Sequence, residues 1–226
     1  HHEIEGGAIG TTFKNDSFES RFTAEHETFA GWHGVVGYHL RQSDYKAIGD
    51  EAFTPDSKTD SHALFVLEER GFGDFTAQLG ARIEQVDYKA SGIEFEHHHD
   101  EDAEEHQAEN VKNDFTAASA SAGLVWNFQP GYNWALSVSR SERAPSAAEL
   151  YSNGAHIATQ TYELGLAYAL DADGEISKSE TDFKKEVANN IDLTLRKFEG
   201  DFTFTYNLFY NKVHNYLYMK DSGLTM

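Results

Sequence analysis

The sequence predicts an all-β chain, an antiparallel transmembrane β-barrel of which it supplies a fragment of about nine strands. Three observations lead there. Long segments alternate strictly between apolar and polar side chains, short glycine-centred turns alternate with long polar loops, and aromatic residues gather at the short-turn ends. In a soluble sandwich the apolar face of such strands packs on a second sheet; in an outer-membrane barrel it meets lipid and the polar face lines water. The loop asymmetry and the aromatics Phe72, Phe75, Phe128, Tyr132, Trp134, Phe198 and Phe202, placed as an interfacial girdle at the short-turn rim, favour the barrel.

The elements follow in order. Gly6 to Lys14 reads as a short strand, with Asn15-Asp16 as a turn into Ser17 to Glu27, where Phe18, Ser20, Phe22 and Ala24 alternate with Glu19, Arg21, Thr23 and Glu25. His1 and His2 read as the end of another His-rich loop. After the Ala30-Gly31 turn, Gly34 to Ala47 carries Val36, Tyr38 and Leu40 on one face, and Ile48 to Asp60 is a polar connection. Ser61 to Glu69 returns to a turn at Arg70 to Asp74. Phe75 to Tyr88 sets Leu79 and Ile83 opposite Gln78 and Glu84, and Phe115 to Phe128 sets Leu124 and Trp126 opposite Ser121 and Gly123. Pro130-Gly131 turns into the strand of Trp134, Leu136 and Val138, before a long connection from about Arg143 to Lys185. Ile191, Leu193 and Leu195 then alternate with Asp192, Thr194 and Arg196, and the Glu199 to Asp201 turn leads into Phe202 to Tyr210. On this pattern Leu79, Leu193, Tyr206 and Leu208 face lipid, and Gln78, Thr194 and Asn207 face the lumen.

The 226 residues carry a formal charge of -20 with pI about 4.8, which excludes a nucleic-acid binder and favours attraction of cations. Cysteine is absent, so any metal site must use histidine and carboxylate. No apolar run approaches the roughly 20 residues of a membrane helix. His1 opens no signal peptide, so the chain reads as lacking its processed start or as beginning inside a larger protein.

Glu94 to Asp114 has almost no apolar content and reads as a solvated loop. Its His97, His98, His99 and His106 supply imidazole nitrogen, and Asp100, Asp102, Glu104 and Glu105 supply charge, the donor types that borderline divalent metals accept. In a helix, His98, Asp102 and His106 would share one face at i, i+4 spacing. The tract reads either as a metal trap or as a passive acidic loop.

Arg143 to Gly165, R-A-P-S-A-A-E-L-Y-S-N-G-A-H-I-A-T-Q-T-Y-E-L-G, resembles the loop of TonB-dependent outer-membrane receptors that pairs R-x-P-x-x-x-E-L-Y with G-x-H-x-A-T and Y-E-x-G. Ala47 to Pro55, Ala63 to Arg70 and Asn189 to Leu195 extend the likeness, which within the superfamily is greatest to the ZnuD-type zinc receptors. The resemblance implies a 22-stranded barrel with an N-terminal plug, energy from the TonB-ExbB-ExbD complex, a setting of outer-membrane lipid and lipopolysaccharide in a Gram-negative bacterium, and a monomer. No plug, TonB box or terminal aromatic residue stands in the sequence, so residues 1–226 are expected to be an internal part of one barrel domain.

Arg143, Pro145, Glu149 and Tyr151 read as loop-folding residues, with a short helix over Ser146 to Leu150. His156, at the barrel mouth, reads as a lumenal metal ligand or as a hydrogen-bonded loop histidine, and Glu51 as a second lumenal candidate. No nucleophile-base pair, phosphate loop or paired acid site stands out, so no enzyme is expected. The leading expectation is active import of zinc, captured by the His-rich loop and held more tightly at a site that includes His156. The alternatives are a haem or metal-chelate (siderophore) receptor, or a non-transporting surface barrel.

Overall fold

The computed structural model describes residues 2–5, 8–49, 52–93, 108–156, 160–171 and 174–222. In chain order the elements are β1 (His2–Glu5), β2 (Ala8–Phe29), β3 (Trp32–Ile48), β4 (Ser57–Phe72), β5 (Phe75–Ile93), β6 (Glu109–Gln129), β7 (Tyr132–Arg143), α1 (Ala147–Tyr151), β8 (Asn153–His156), β9 (Thr161–Leu164), β10 (Tyr168–Leu170), β11 (Ile176–Lys178), β12 (Glu186–Lys197) and β13 (Phe204–His214). Nine of them form one antiparallel sheet in the order β1-β2-β3-β4-β5-β6-β7-β12-β13, each strand beside its neighbour in sequence apart from the insertion between β7 and β12. The pairs β8-β9 and β10-β11 are small separate hairpins within that insertion.

The predicted alternation holds, and among the described residues no second sheet lies on the apolar face. Leu79 is 47% exposed, Tyr206 55% and Leu208 52%. In register, Leu208 lies opposite Leu193, and Leu193 opposite Leu136, whereas Asn207 lies opposite Thr194 on the other face and accepts a 2.8 Å bond from its hydroxyl. At the short-turn end the aromatics form a continuous band: Phe72 stacks on Phe75, Phe75 on Trp126, and Trp126, Phe128 and Tyr132 follow at centroid spacings of 5.6 and 6.0 Å. Rings with one polar edge or one accessible face suit the boundary between hydrocarbon and water.

The apolar window shifts along successive strands. On β2 it covers Phe18 to Ala24, yet the row of paired residues through Phe18 runs on to Gln42, Asp60, Asp87 and Asp114. On β12 it covers Ile191 to Leu195, and the row through Ile191 runs back through Val138, Ala122 and Leu79 to Glu68, Gly34 and His26. Rows perpendicular to the strands therefore cross the apolar band obliquely, as they must when barrel strands tilt by about 45° from the membrane normal.

The polar face carries a chain of charge-assisted bonds. His39 Nε2 lies 2.8 Å from Glu19, Arg82 donates to His39 Nδ1 at 3.2 Å and pairs with Glu84 at 3.2 Å, and Ser61 donates to Glu84. A guanidinium can only donate, so His39 Nδ1 is the acceptor and its Nε2–H faces the carboxylate.

Several boundaries differ from those expected. Asn15-Asp16 is no turn: β2 runs straight through it, because Asn15 Oδ1 accepts from the hydroxyls of Ser17 (3.1 Å) and, across the ladder, Ser43 (2.8 Å). The polar side chains that signalled a turn are spent on a cross-strand contact. His2 belongs to a strand rather than a loop. Strand β4 starts at Ser57 and β6 at Glu109, so the flanking connections are shorter and Glu109 to Asp114 is sheet. Ladder pairing outweighs local polarity at these ends. The turn at Ala30-Gly31, with φ of 53° and 82°, is the two-residue type that matches strand twist.

Candidate functional site

Beyond the lipid-facing region the even-numbered, polar face of β5 turns apolar. Val86, Tyr88 and Ala90, with Phe115 of β6, are buried there, and Leu150, Tyr151, Ala167 and Tyr168 of the long connection pack onto them as the one core cluster among the described residues. The connection from β7 to β12 thus folds over the polar face at the loop end, into the mouth of the barrel.

The helix α1 starts there for local reasons. Ser146 caps it, its hydroxyl accepting from the Glu149 amide at 3.2 Å while Glu149 accepts from the Ser146 amide at 2.7 Å, a reciprocal capping box. Arg143 then grips the same carboxylate with two bonds, of 2.8 and 3.0 Å, and holds Glu186 of β12 at 2.6 Å. Burial alone would raise the Glu149 carboxyl, but the Arg143 guanidinium and the Ser146 bonds outweigh it and hold the group below the ordinary carboxylate range. Tyr151 lies buried against the sheet with its hydroxyl bonded to Asn113, and burial pushes its phenol up. The loop-folding role expected of Arg143, Pro145, Glu149 and Tyr151 fits these contacts.

Next to α1, β8 and β9 pair with Gly154 opposite Glu163 and His156 opposite Thr161. His156 Nδ1 lies 2.5 Å from Glu163 Oε1, and the imidazole stacks on Phe53 at 4.9 Å between centroids. The segment carrying Phe53 is anchored by the Asn153 amide, which donates to the Phe53 carbonyl at 2.7 Å, and a Cβ at Gly154 would stand 2.9 Å from Phe53 Cβ. Only glycine allows that approach. Between this hairpin, the β3-β4 connection and the end of β5 lies a cavity of about 580 Å³, lined among others by Phe53, Asp56, Tyr151, Asn153, Tyr162 and Tyr168. Tyr162 donates to Asn153 Oδ1 at 2.8 Å.

Of the predicted metal ligands, the structure places His156 at this mouth. His97, His98, His99, Asp100, Asp102, His106 and Glu51 lie outside the described residues. Among the described residues no three His, Asp or Glu side chains converge as a metal site. Sequence reasoning missed Glu163, Phe53 and Tyr168. Glu163 sits in the Y-E-L-G motif, but its approach to His156 depends on a hairpin that local sequence does not announce.

An open antiparallel meander with a lipid-type apolar face, an aromatic rim and a mouth filled by its own long connection defines part of an outer-membrane-type barrel. The family model for the TonB dependent receptor-like beta-barrel matches residues 5–225, and the chain belongs to that family. It is also similar to a solved structure, a double mutant of the Serratia marcescens hemophore receptor HasR in complex with its hemophore HasA and heme. There the TM-score is 0.61 at 15% identity, over 91% of this chain and 34% of the receptor chain, a likeness of fold. The chain spans about a third of that receptor's length. The family is one of outer-membrane receptors that work with TonB, not of enzymes.

Proposed function

We propose that the chain is part of a receptor for the TonB-dependent, active uptake of zinc across the outer membrane of a Gram-negative bacterium. The observation that carries this reading is the pair of His156 and Glu163 at the barrel mouth, 2.5 Å apart and backed by Phe53. A carboxylate on Nδ1 fixes the tautomer whose Nε2 holds the lone pair, the arrangement found behind metal-bound imidazoles. Zinc is the substrate here. It is captured first by His97, His98, His99, Asp100, Asp102 and His106, a tract dense in nitrogen and oxygen donors, and passed to a mouth site of His156 with Glu51 as a further ligand. Energy from TonB-ExbB-ExbD then drives release inward. The net charge of -20 favours cation approach.

Calorimetric titration of the whole receptor with zinc tests it. The His156→Ala variant should lose the tight component and retain the weak, multi-ion one, and replacing the four tract histidines by Ala should do the reverse. A tight component that survives His156→Ala overturns the reading.

One observation favours haem as a second reading. Phe53, Tyr151, Tyr162 and Tyr168 line a cavity of about 580 Å³ beside His156, and both imidazole and phenolate ligate haem iron. The solved relative is likewise described with heme. A His156-dependent shift of the haem absorption band, with no zinc binding at the mouth, would decide for haem.

A further inference from the structure

We infer that the Phe53 side chain is a steric gate that decides which ligands reach His156: a bare metal ion passes, and a bulky ring system lodged in the mouth cavity is shut out. Phe53 stands at the boundary between the two. Its ring stacks on the imidazole at 4.9 Å between centroids and 28° between planes, and the same residue lines the cavity of about 580 Å³. Neither His156 nor Glu163 lines that cavity. One aromatic side chain therefore partitions the pair from the larger space. The His156 side chain is still 28% exposed, enough for an ion to reach an edge of the ring.

The backbone under the gate is held in place. The Asn153 amide donates to the Phe53 carbonyl at 2.7 Å, the hydroxyls of Thr54 and Ser152 lie 3.4 Å apart, and the Ser91 amide donates to the Asp56 carbonyl at 3.1 Å. Residues 53–56 are thus stitched to the hairpin on one side and to β5 on the other. Opening falls to rotation about the Cα–Cβ bond of Phe53, from one staggered well to another. Gly154 sets the closed position, because a Cβ there would stand 2.9 Å from Phe53 Cβ and hold the ring off the imidazole. The cavity supplies the space for the open one. A ligand that fills the cavity removes that space, so an occupied cavity keeps His156 covered.

The inference deepens the zinc reading, and its test stands apart from that reading by using two probes, zinc as the small ligand and haem as the bulky one. The whole receptor is titrated with each. In the wild type the haem absorption band should be the same with and without His156→Ala. Phe53→Ala should produce a band shift that disappears when His156→Ala is added, because the imidazole then reaches the haem iron. Its zinc affinity should fall by less than about tenfold, the loss of one aromatic stack. Phe53→Leu keeps the bulk without the flat ring, so it should show the small zinc loss and no band shift. Amide exchange at Leu150 and Ala167 checks that the mouth stays folded in each variant. A His156-dependent band already present in the wild type overturns the gate and decides for haem. No such band in Phe53→Ala, or an equal shift in Phe53→Leu, also overturns it. Failure of the zinc reading is seen separately, as a wild-type receptor with no tight zinc component, and the haem comparison then still decides on the gate.

Discussion

Arg143 and Glu149 meet through two parallel bonds, Nη1 to Oε2 at 2.8 Å and Nη2 to Oε1 at 3.0 Å, and this fork fixes the start of the only helix among the described residues. The guanidinium also holds Glu186 on β12, so one side chain ties the inserted connection to the barrel wall at both ends. Arg143→Lys retains charge but not the planar fork. Because the pair is partly exposed, the loss should be on the order of 1 kcal/mol, seen as roughly fivefold faster amide exchange at Leu150 and Ala167 with the strands unaffected.

The same carboxylate makes the mouth acid-sensitive. The folded Glu149 group titrates below its unfolded value of about 4.3, so its contribution is fully present above that value and is lost as pH falls through the lower folded one. Exchange protection of α1, corrected for intrinsic rates, should be flat from neutral pH to about 5 and fall below 4. Glu149→Gln should remove that step.

Opposite faces of β12 predict opposite tolerance. Leu193 lies in the outward row with Leu136 and Leu208, while Thr194 faces inward and bonds Asn207. Leu193→Arg should destabilise the inserted receptor by about 2–4 kcal/mol, and Thr194→Arg by much less, in denaturant titrations from lipid vesicles. Equal costs would contradict the assigned faces.

Glu163 lies 2.5 Å from His156 Nδ1, behind the ring nitrogen that the zinc proposal assigns to the metal. On the zinc reading, Glu163→Gln should weaken the tight component by about 10- to 100-fold, the range for partners behind a ligating histidine. His156→Ala should abolish it. A Glu163→Gln variant with unaltered affinity, beside a defective His156→Ala, would leave the histidine as ligand and remove the carboxylate's role.

The sequence by itself determined the strands, their faces and the rim. A period of two is a property of the extended backbone, so Leu79 and Gln78 part company whatever surrounds them, and short turns such as Pro130-Gly131 are written in residue types. It also determined the family, through the Arg143 to Gly165 motif. Strand ends at Asn15, Ser57 and Glu109 were not legible, because ladder bonds formed across the sheet override local polarity. Only the tertiary structure decided that the long connection folds back over Val86, Tyr88 and Phe115, and that Phe53, from a segment far away in the chain, meets the hairpin of His156 and Glu163. Such a site depends on which backbone segments approach closely, at Gly154 above all, and that is settled by packing of the whole mouth and not by any local pattern.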